Sequence, residues 1–527
     1  MRSQIHIPRP AARWLPPTAA AASVGVGLVN IGSTLTPDDG WRGRLVANAV
    51  GHEVPTAAHA LALPAGVALV LLGLYLAKRR RRAWATALLV LAAAGALNLL
   101  KGLDVEEALA SWTLAGMLAL GRGAFPVRPE AGNQARTAAQ LAFVAAAGLV
   151  TAALSILTGR PGAMTGIAVG AMVVGAWLVF RAPGVPRHLP GETARALARG
   201  LVEGHGRDTL SFFKLRADHH YFFDASHRAF VAYRVEARVM VVGGDPVGPP
   251  AAVARLLPEL LAYAAERDLR VAVVGASDAF AREAESAGLR GWYIGDEAIL
   301  DTERFSLEGR AVRKIRQSVA RVGRAGYVTT IGPVGLLADD ELDELEALAE
   351  RAREGEPERG FSMALDSLRG EHLAASLVLV ARDADGIARG FLHFVPCFGR
   401  DAMSLSFMRR DKDTPNGLME FLIVRAVEEL GARGVRELSL NFAPFARFLH
   451  SPENRRERVL GTLVRLADGA FQIERLYRFN AKFFPRWQPR YLVYQGPLGL
   501  PRAGLAAMWA ERQLPRPPRR EPLPARV

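Results

Sequence analysis

The segment Ser404–Phe421, SLSFMRRDKDTPNGLMEF, gathers residue types suited to holding an anion. An alternating apolar strand runs into Arg409 and Arg410, followed by a Pro-Asn-Gly turn and then a helix. In a mixed α/β domain, a strand end facing a helix N-terminus is where anionic ligands are commonly met. Asn416 sits in the turn and Glu420 one helical turn beyond it, so an amide and a carboxylate share that entrance with the two guanidiniums. Asn441 ends a second buried strand, Val435–Phe442, where satisfying local backbone is an equally good role. Asp245 lies in a strand-to-helix turn, GGDPVG (Gly243–Gly248), that either positions a ligand or only shapes the chain.

Several chemistries are absent from the pattern. There is no zinc-ligand spacing, no P-loop and no Ser-His-Asp elbow, and we expect no metal site. The lone cysteine, Cys397, falls in the apolar run FLHFVPCF and reads as a packed core thiol; it also excludes an intrachain disulfide. An acetyltransferase using coenzyme A needs a glycine-rich loop whose amides cradle the pyrophosphate. After Met408 this chain has Arg-Arg-Asp-Lys-Asp-Thr-Pro-Asn-Gly instead, which disfavours acetyl-CoA.

The elements that must carry these residues follow from periodicity. After a linker at Ala182–Glu192, strands are predicted at His219–Asp224, Ala229–Val235 and Arg238–Gly243, then a helix at Ala251–Arg267. Strand Leu269–Gly275, helix Asp278–Ala287 and strand Trp292–Ile299 complete a first half. The second half repeats the theme with strands Leu377–Arg382, Gly390–Phe398 and Ala402–Met408, helix Gly417–Arg433 and strand Val435–Phe442. Two tandem GNAT-like folds are the simplest architecture for this order; one large α/β sheet is the competing one. A helix at about Leu307–Ala325 joins the halves. Arg310, Arg313 and Lys314, with Arg321 and Arg324, recur on one face at three- and four-residue spacing, and suit tRNA or lipid phosphates as well as bare solvent. The acidic stretch Asp339–Glu350 reads as a solvated helix.

Ahead of this domain lie six apolar stretches, about 18–36, 57–77, 83–100, 105–121, 138–158 and 163–180, most near the ~20 residues that a membrane-spanning helix requires. Basic residues concentrate in alternate connections, with Lys78–Arg82 as the densest block, which puts both termini in the cytoplasm. No cleavable leader is evident. Asn30, Asn98, Glu106 and Glu107 either line a polar path or satisfy one another. The expected division is an N-terminal segment 1–17, a membrane domain 18–181, a linker 182–205, GNAT-like subdomains 206–305 and 306–500, and a disordered Pro/Arg-rich tail 501–527. With 66 Lys and Arg against 52 Asp and Glu, the chain carries +14 and favours anionic partners.

FMRRDKDTPNGLMEFLI, ELSLNFAPF (Glu437–Phe445) and LYRFNAKFFPRWQPRYLVY (Leu476–Tyr494) together resemble the phosphatidylglycerol lysyltransferase family, also called aminoacyl-phosphatidylglycerol synthases or multiple peptide resistance factors. GGDPVG, Asp296–Val319 and Tyr221–Phe223 extend the likeness across Gly206–Tyr494, and the apolar region resembles the short membrane domain of actinobacterial members. The resemblance implies transfer of an aminoacyl group from aminoacyl-tRNA to a glycerol hydroxyl of phosphatidylglycerol in the bacterial cell membrane. That would lower negative membrane charge, as the link to cationic-peptide resistance suggests. No cofactor beyond the charged tRNA is implied, and a homo-oligomer is compatible with it. Position by position, Arg409 takes the family's functional arginine and Lys482 its C-terminal lysine. Ser406 stands where the family has aspartate. A carboxylate there would hold the donor's ammonium, whereas a hydroxyl only hydrogen-bonds it, at about 1 kcal/mol or less.

An aminoacyl ester is already activated, so transfer needs a proton acceptor and positive charge near the oxyanion. Arg409 and Lys482 suit the charge; Glu420 suits the proton or the ammonium. Ser406, Arg410, Asn416, Asn441, Asp245 and Arg490 are the candidate substrate contacts, although Arg490 and Trp487 equally well brace the last strand. Two other readings stay open. One is a lipid transporter or sensor whose transfer activity has degenerated; the other is a tandem-GNAT aminoacyl- or acyltransferase acting on a peptide or cell-wall precursor.

Overall fold

A computed structural model describes residues 11–35, 45, 48–49, 53–125, 188–353, 360–365, 367–444 and 473–514. The chain divides into a helical unit, largely residues 1–185, and an α/β unit formed by most of the remainder.

The helical unit is built from alanine- and leucine-rich segments with high helix propensity. They form α1 (Ala11–Leu35), α2 (Glu53–Ala77), α3 (Arg81–Gly102) and α4 (Val105–Leu120). Helices α1 and α2 touch backbone to backbone. A Cβ on Gly27 would meet the Gly66 carbonyl at 2.6 Å, and one on Gly66 would meet that of Gly27 at 2.8 Å. Small residues at a crossing are how helices approach closely where no water drives them together. Asn98 Nδ2 donates to Asn30 Oδ1 at 2.8 Å, joining two buried amides, while Asn30 Nδ2 has no hydrogen-bond partner among the described residues. Among the described residues, Trp14–Gly32 and Arg81–Leu100 are long and apolar enough to cross a membrane, and Ala65–Ala77 is a shorter apolar helix. The six-span expectation is therefore met only in part. The fourth stretch is a helix of 16 residues with Glu106 and Glu107 in its first turn. Stretches 138–158 and 163–180 lie outside the described residues.

In the α/β unit the strands are β1 (His220–Phe223), β2 (Phe230–Glu236), β3 (Val239–Gly243), β4 (Arg270–Ser277), β5 (Leu289–Asp301), β6 (Val328–Pro333), β7 (Leu377–Arg382), β8 (Ala388–Cys397), β9 (Ala402–Arg410), β10 (Glu437–Pro444) and β11 (Arg486–Gln495). Helices α5 (Glu192–His205), α6 (Pro250–Glu266), α7 (Asp278–Ser286), α8 (Arg313–Arg324), α9 (Asp339–Arg353), α10 (Leu418–Ala432), α11 (Ile473–Ala481) and α12 (Leu500–Ala510) accompany them. All eleven strands belong to one sheet, in the order β1-β2-β3-β4-β11-β5-β10-β9-β8-β7-β6.

Both expected architectures are realised at once. β3, α6 and β4 form a parallel crossover, and β9, α10 and β10 form the matching one. Each parallel pair leads through a helix to a closing strand, α7 to β5 and α11 to β11. The closing strands are interleaved: β11 lies between β4 and β5, while β5 pairs with β11 and β10. The first half is thus completed by the last strand of the chain, and the sheet runs unbroken through both GNAT-like halves.

Alternation along the strands divides the core. Val378, Val380, Phe391 and Phe407 join a cluster under α5 and α9, whereas Leu379, Leu392, Leu405 and Leu438 pack beneath α8 and α10. Three expectations need correction. The linking helix begins at Arg313 rather than Leu307, leaving Arg310 in the preceding turn. Residues 192–205, placed in a linker, form α5, whose Ala198 and Val202 are buried. The tail expected from 501 starts as α12, with Ala503, Ala506 and Ala510 buried against Val239, Val241 and Ala272.

Candidate active site

β9 and β10 run parallel only through Ser404↔Ser439 and then part. Polar side chains fill the opening. Asn441 adopts φ +70° and donates from Nδ2 to the carbonyl of Met363 and, at 3.1 Å, to that of Leu405. Ser406 Oγ accepts the Leu365 N–H at 3.0 Å, which uses one of its two acceptor lone pairs. Both side chains therefore hold the 360–365 segment against the gap between the strands.

The Pro-Asn-Gly turn delivers α10. Gly417 has φ +100°, and a Cβ there would lie 2.6 Å from that of Ser318 on α8, so the turn needs glycine twice over. Arg321 from α8 donates to the Asn416 carbonyl at 3.2 Å. Arg410 is exposed and bonds Thr414 Oγ1 at 3.1 Å, bracing its own turn. Glu420, in the first turn of α10, meets Lys482 just beyond α11: Nζ and Oε1 are 2.6 Å apart. The lysine side chain is 47% exposed and the glutamate 16%. One partner is enclosed and the other open to an incoming ligand. Lys482 also stands 5.3 Å from the Phe479 ring centroid. Nearby, Tyr477 and Trp487 stack at 4.9 Å, so Trp487 braces β11 onto α11.

Arg409 is not part of this pair. It is registered opposite Phe391 and lies 5.0 Å from the Phe407 ring, on the face under α9, whereas α10 covers the other face. Arg310, Arg313 and Lys314 are exposed together with Arg316, Arg321 and Arg324, while Val312, Ile315 and Val322 are buried. The basic helix face is real and points away from the core.

Arg490 requires correction as a substrate contact, because its guanidinium is fully engaged and only 3% exposed. It donates to Glu297 Oε2 (3.0 Å from Nε, 2.5 Å from Nη2), to Asp208 Oδ1 (2.6 Å), to Thr209 Oγ1 (2.9 Å) and to the Gly275 carbonyl (3.2 Å). Glu297 Oε1 in turn accepts from Ser439 Oγ at 2.5 Å, and Ser439 Oγ accepts the Asn441 N–H at 3.1 Å. A chain of hydrogen bonds thus ties the closing strands to the opening between β9 and β10. Lys214 joins the cluster by donating to the Gly243 carbonyl. Burial lowers its pKa to about 8, although Asp208 and Asp245 pull the other way. Burial, and then the Asp208 charge, raises Asp245 to about 6, while its Oδ1 accepts the Ser277 N–H at 2.8 Å. Burial opposes the Asp208 charge too, but Arg490 and Lys214 keep that carboxyl below its usual range. Asp208 and Lys214 lie in no motif, and Glu297 lies in the Asp296–Val319 segment without a sequence signal for its ion pair; Asp208 and Arg490 are 282 positions apart. Cys397 is buried and its thiol is pushed up to about 12, consistent with a core role. Among the described residues no cluster of three or more His, Cys, Asp or Glu suits a metal ion.

The family described as "Phosphatidylglycerol lysyltransferase, C-terminal" matches residues 199–494. The chain belongs to this family. The lysylphosphatidylglycerol biosynthesis bifunctional protein LysX of Gordonia bronchialis is 34% identical over 359 residues, covering 66% of this chain and 31% of that protein. LysX of Mycobacterium marinum is 32% identical over 484 residues, covering 89% and 41%. The chain thus spans about a third to two-fifths of the length of these relatives. Among solved structures, a C-terminal domain assigned to lysylphosphatidylglycerol synthetase from Agrobacterium fabrum superposes with a TM-score of 0.52 at 25% identity, covering 60% of this chain and 95% of that one. L-PGS from Bacillus licheniformis shares the fold, with a TM-score of 0.54 at 20% identity over 62% of this chain and 98% of that one. The matched lysyltransferase region contains the whole opening between β9 and β10, the Lys482–Glu420 pair and the buried Arg490 cluster.

Proposed function

We propose that this member of the lysyltransferase family moves an aminoacyl group from aminoacyl-tRNA to a glycerol hydroxyl of phosphatidylglycerol. The hydroxyl oxygen attacks the ester carbonyl carbon, and the bond from that carbon to the tRNA ribose oxygen breaks. The proton leaves the glycerol hydroxyl and ends on the ribose oxygen. Glu420 receives that proton first and returns it to the leaving oxygen; Lys482 stabilises the tetrahedral oxyanion. Because the ester is already activated, the charged tRNA is the only donor required. The 2.6 Å pair of a half-open lysine and an enclosed carboxylate carries this reading, since it joins an acid–base group to a cation at a ligand-accessible edge.

The exposed bases of α8 receive tRNA or lipid phosphates, with Arg321 linking that helix to the α10 turn. Arg409, on the other face of the sheet, anchors a phosphate rather than the reacting carbonyl. The apolar N-terminal helices anchor the protein in the cell membrane with its catalytic domain in the cytoplasm, as the basic connections suggest. The product lowers the negative charge of the leaflet. Which amino acid is carried depends on contacts other than a carboxylate at position 406. Supplying purified protein with phosphatidylglycerol vesicles and individual charged tRNAs tests the proposal, with mass spectrometry of the lipid as readout. A modified lipid that is lost in Lys482→Ala is expected. No product with any tRNA overturns the reading and favours a lipid transporter or sensor; a product only on peptide acceptors reassigns the acceptor.

A further inference from the structure

A cleft of about 180 Å³ lies between α5, β1 and the 371–373 turn. Arg195, Arg199 and His372 line it, with Tyr221 and Leu215 also in its wall and Glu192 and Glu371 contributing two carboxylates. None of these residues belongs to the Lys482–Glu420 site or to the buried Arg490 cluster. The two arginines lie four apart on one helix and therefore present to the same side. Their situations differ. Arg195 is committed to the fold, donating to the Pro190 and Ala217 carbonyls at 3.1 and 2.9 Å. Arg199 makes no hydrogen bond within the protein among the described residues, and its Nε is buried without an acceptor. Arg199 is half-buried, so the rest of its guanidinium faces the cleft with donors not committed to the fold, and a phosphate matches a guanidinium bidentately. Beside it, burial pushes the Tyr221 phenol up to about 12 against the pull of Arg195 and Arg199, so the hydroxyl stays a neutral donor at neutral pH. The carboxylates add acceptors for hydroxyl groups of the same ligand.

We propose that this cleft is a second ligand site that takes a phosphate ester bearing hydroxyl groups, with Arg199 as the principal anion contact. A lipid headgroup and a soluble phosphate share this chemistry, so the test separates them. Full-length protein in detergent is titrated with glycerophosphoglycerol and, separately, with inorganic phosphate, and binding is followed by calorimetry. Wild type, Arg199→Gln and Lys482→Ala are compared, each with its thermal unfolding midpoint measured. Saturable binding that weakens about tenfold or more in Arg199→Gln and persists in Lys482→Ala is expected. Preference for glycerophosphoglycerol identifies a headgroup site, and equal or better binding of inorganic phosphate identifies a free-phosphate site. Equal affinity in wild type and Arg199→Gln, or binding lost only in Lys482→Ala, overturns the proposal, as does the absence of binding by both probes. The readout needs no tRNA and no turnover, so failure of the transfer reading leaves this result interpretable.

Discussion

Arg490 shows how a single residue organises the α/β unit. Its guanidinium neutralises Glu297 and Asp208 in the interior, and removing one member of such a cluster strands the others. Arg490→Met should cost about 3–5 kcal/mol, measured as a fall in the denaturant midpoint. Asp245 makes a complementary pH prediction. Its folded pKa, about 6, lies above the unfolded value of 3.8, so the folded state holds the proton more tightly. The stability this contributes is complete below about pH 4 and is lost as pH rises through 6, up to about 3 kcal/mol. Lys214 has the opposite sign: depressed to about 8 from 10.5, it contributes stability that is full above 10.5 and lost as pH falls through 8. Asp245→Asn keeps an acceptor for the Ser277 N–H, so it should flatten the loss between pH 4 and 6, read from denaturant midpoints at each pH.

Among the elements, α8 and the α10 turn carry the separable roles. Arg313 and Lys314 are exposed on α8, so replacing both with Gln should leave the unfolding free energy within about 0.5 kcal/mol of wild type. The same change should weaken aminoacyl-tRNA binding and make the slope of log affinity against log salt shallower by about 1–2, as loss of two phosphate contacts requires. Filter binding across a salt series measures it. At the turn, Gly417→Ala forces a side chain into left-handed backbone and against Ser318, and should cost about 2 kcal/mol or more. How legible these elements were depended on their amphipathic signal. β7 was bounded correctly, and β9 and α10 to within two residues, because apolar alternation and a glycine turn mark them. β6 was missed: its Val-Thr-Thr-Ile-Gly-Pro is half-exposed at the sheet edge, where no alternating core pattern is imposed. α5 and α12 were hidden by Pro- and Arg-rich neighbours, although small buried alanines secure both. In the site, the Lys482–Glu420 contact joins residues 62 positions apart and could not be read from spacing. The separation of Arg409 from that pair follows from strand alternation, yet family likeness alone grouped them.

For the α/β unit as a whole, interleaving of β5 and β11 matters more than duplication. The repeated strand–helix order suggests two tandem GNAT-like folds, but β11 spends its length between two strands of the first half. The unit should therefore unfold in one transition, with far-ultraviolet circular dichroism and the fluorescence of Trp292 and Trp487 changing together. Two separated transitions would mean that each half is autonomous. The same arrangement gives the buried cluster a mechanical reason to exist: it fastens the shared strands to the opening beside the Lys482–Glu420 pair. Aminoacyl transfer is assigned to that pair. Its most direct test is mass spectrometry of phosphatidylglycerol vesicles incubated with the purified chain and charged tRNA, comparing wild type with Lys482→Ala and Glu420→Gln. Wild type should give an aminoacylated lipid, reduced at least a hundredfold in both variants with tRNA binding intact. Undiminished product from either variant would contradict that assignment.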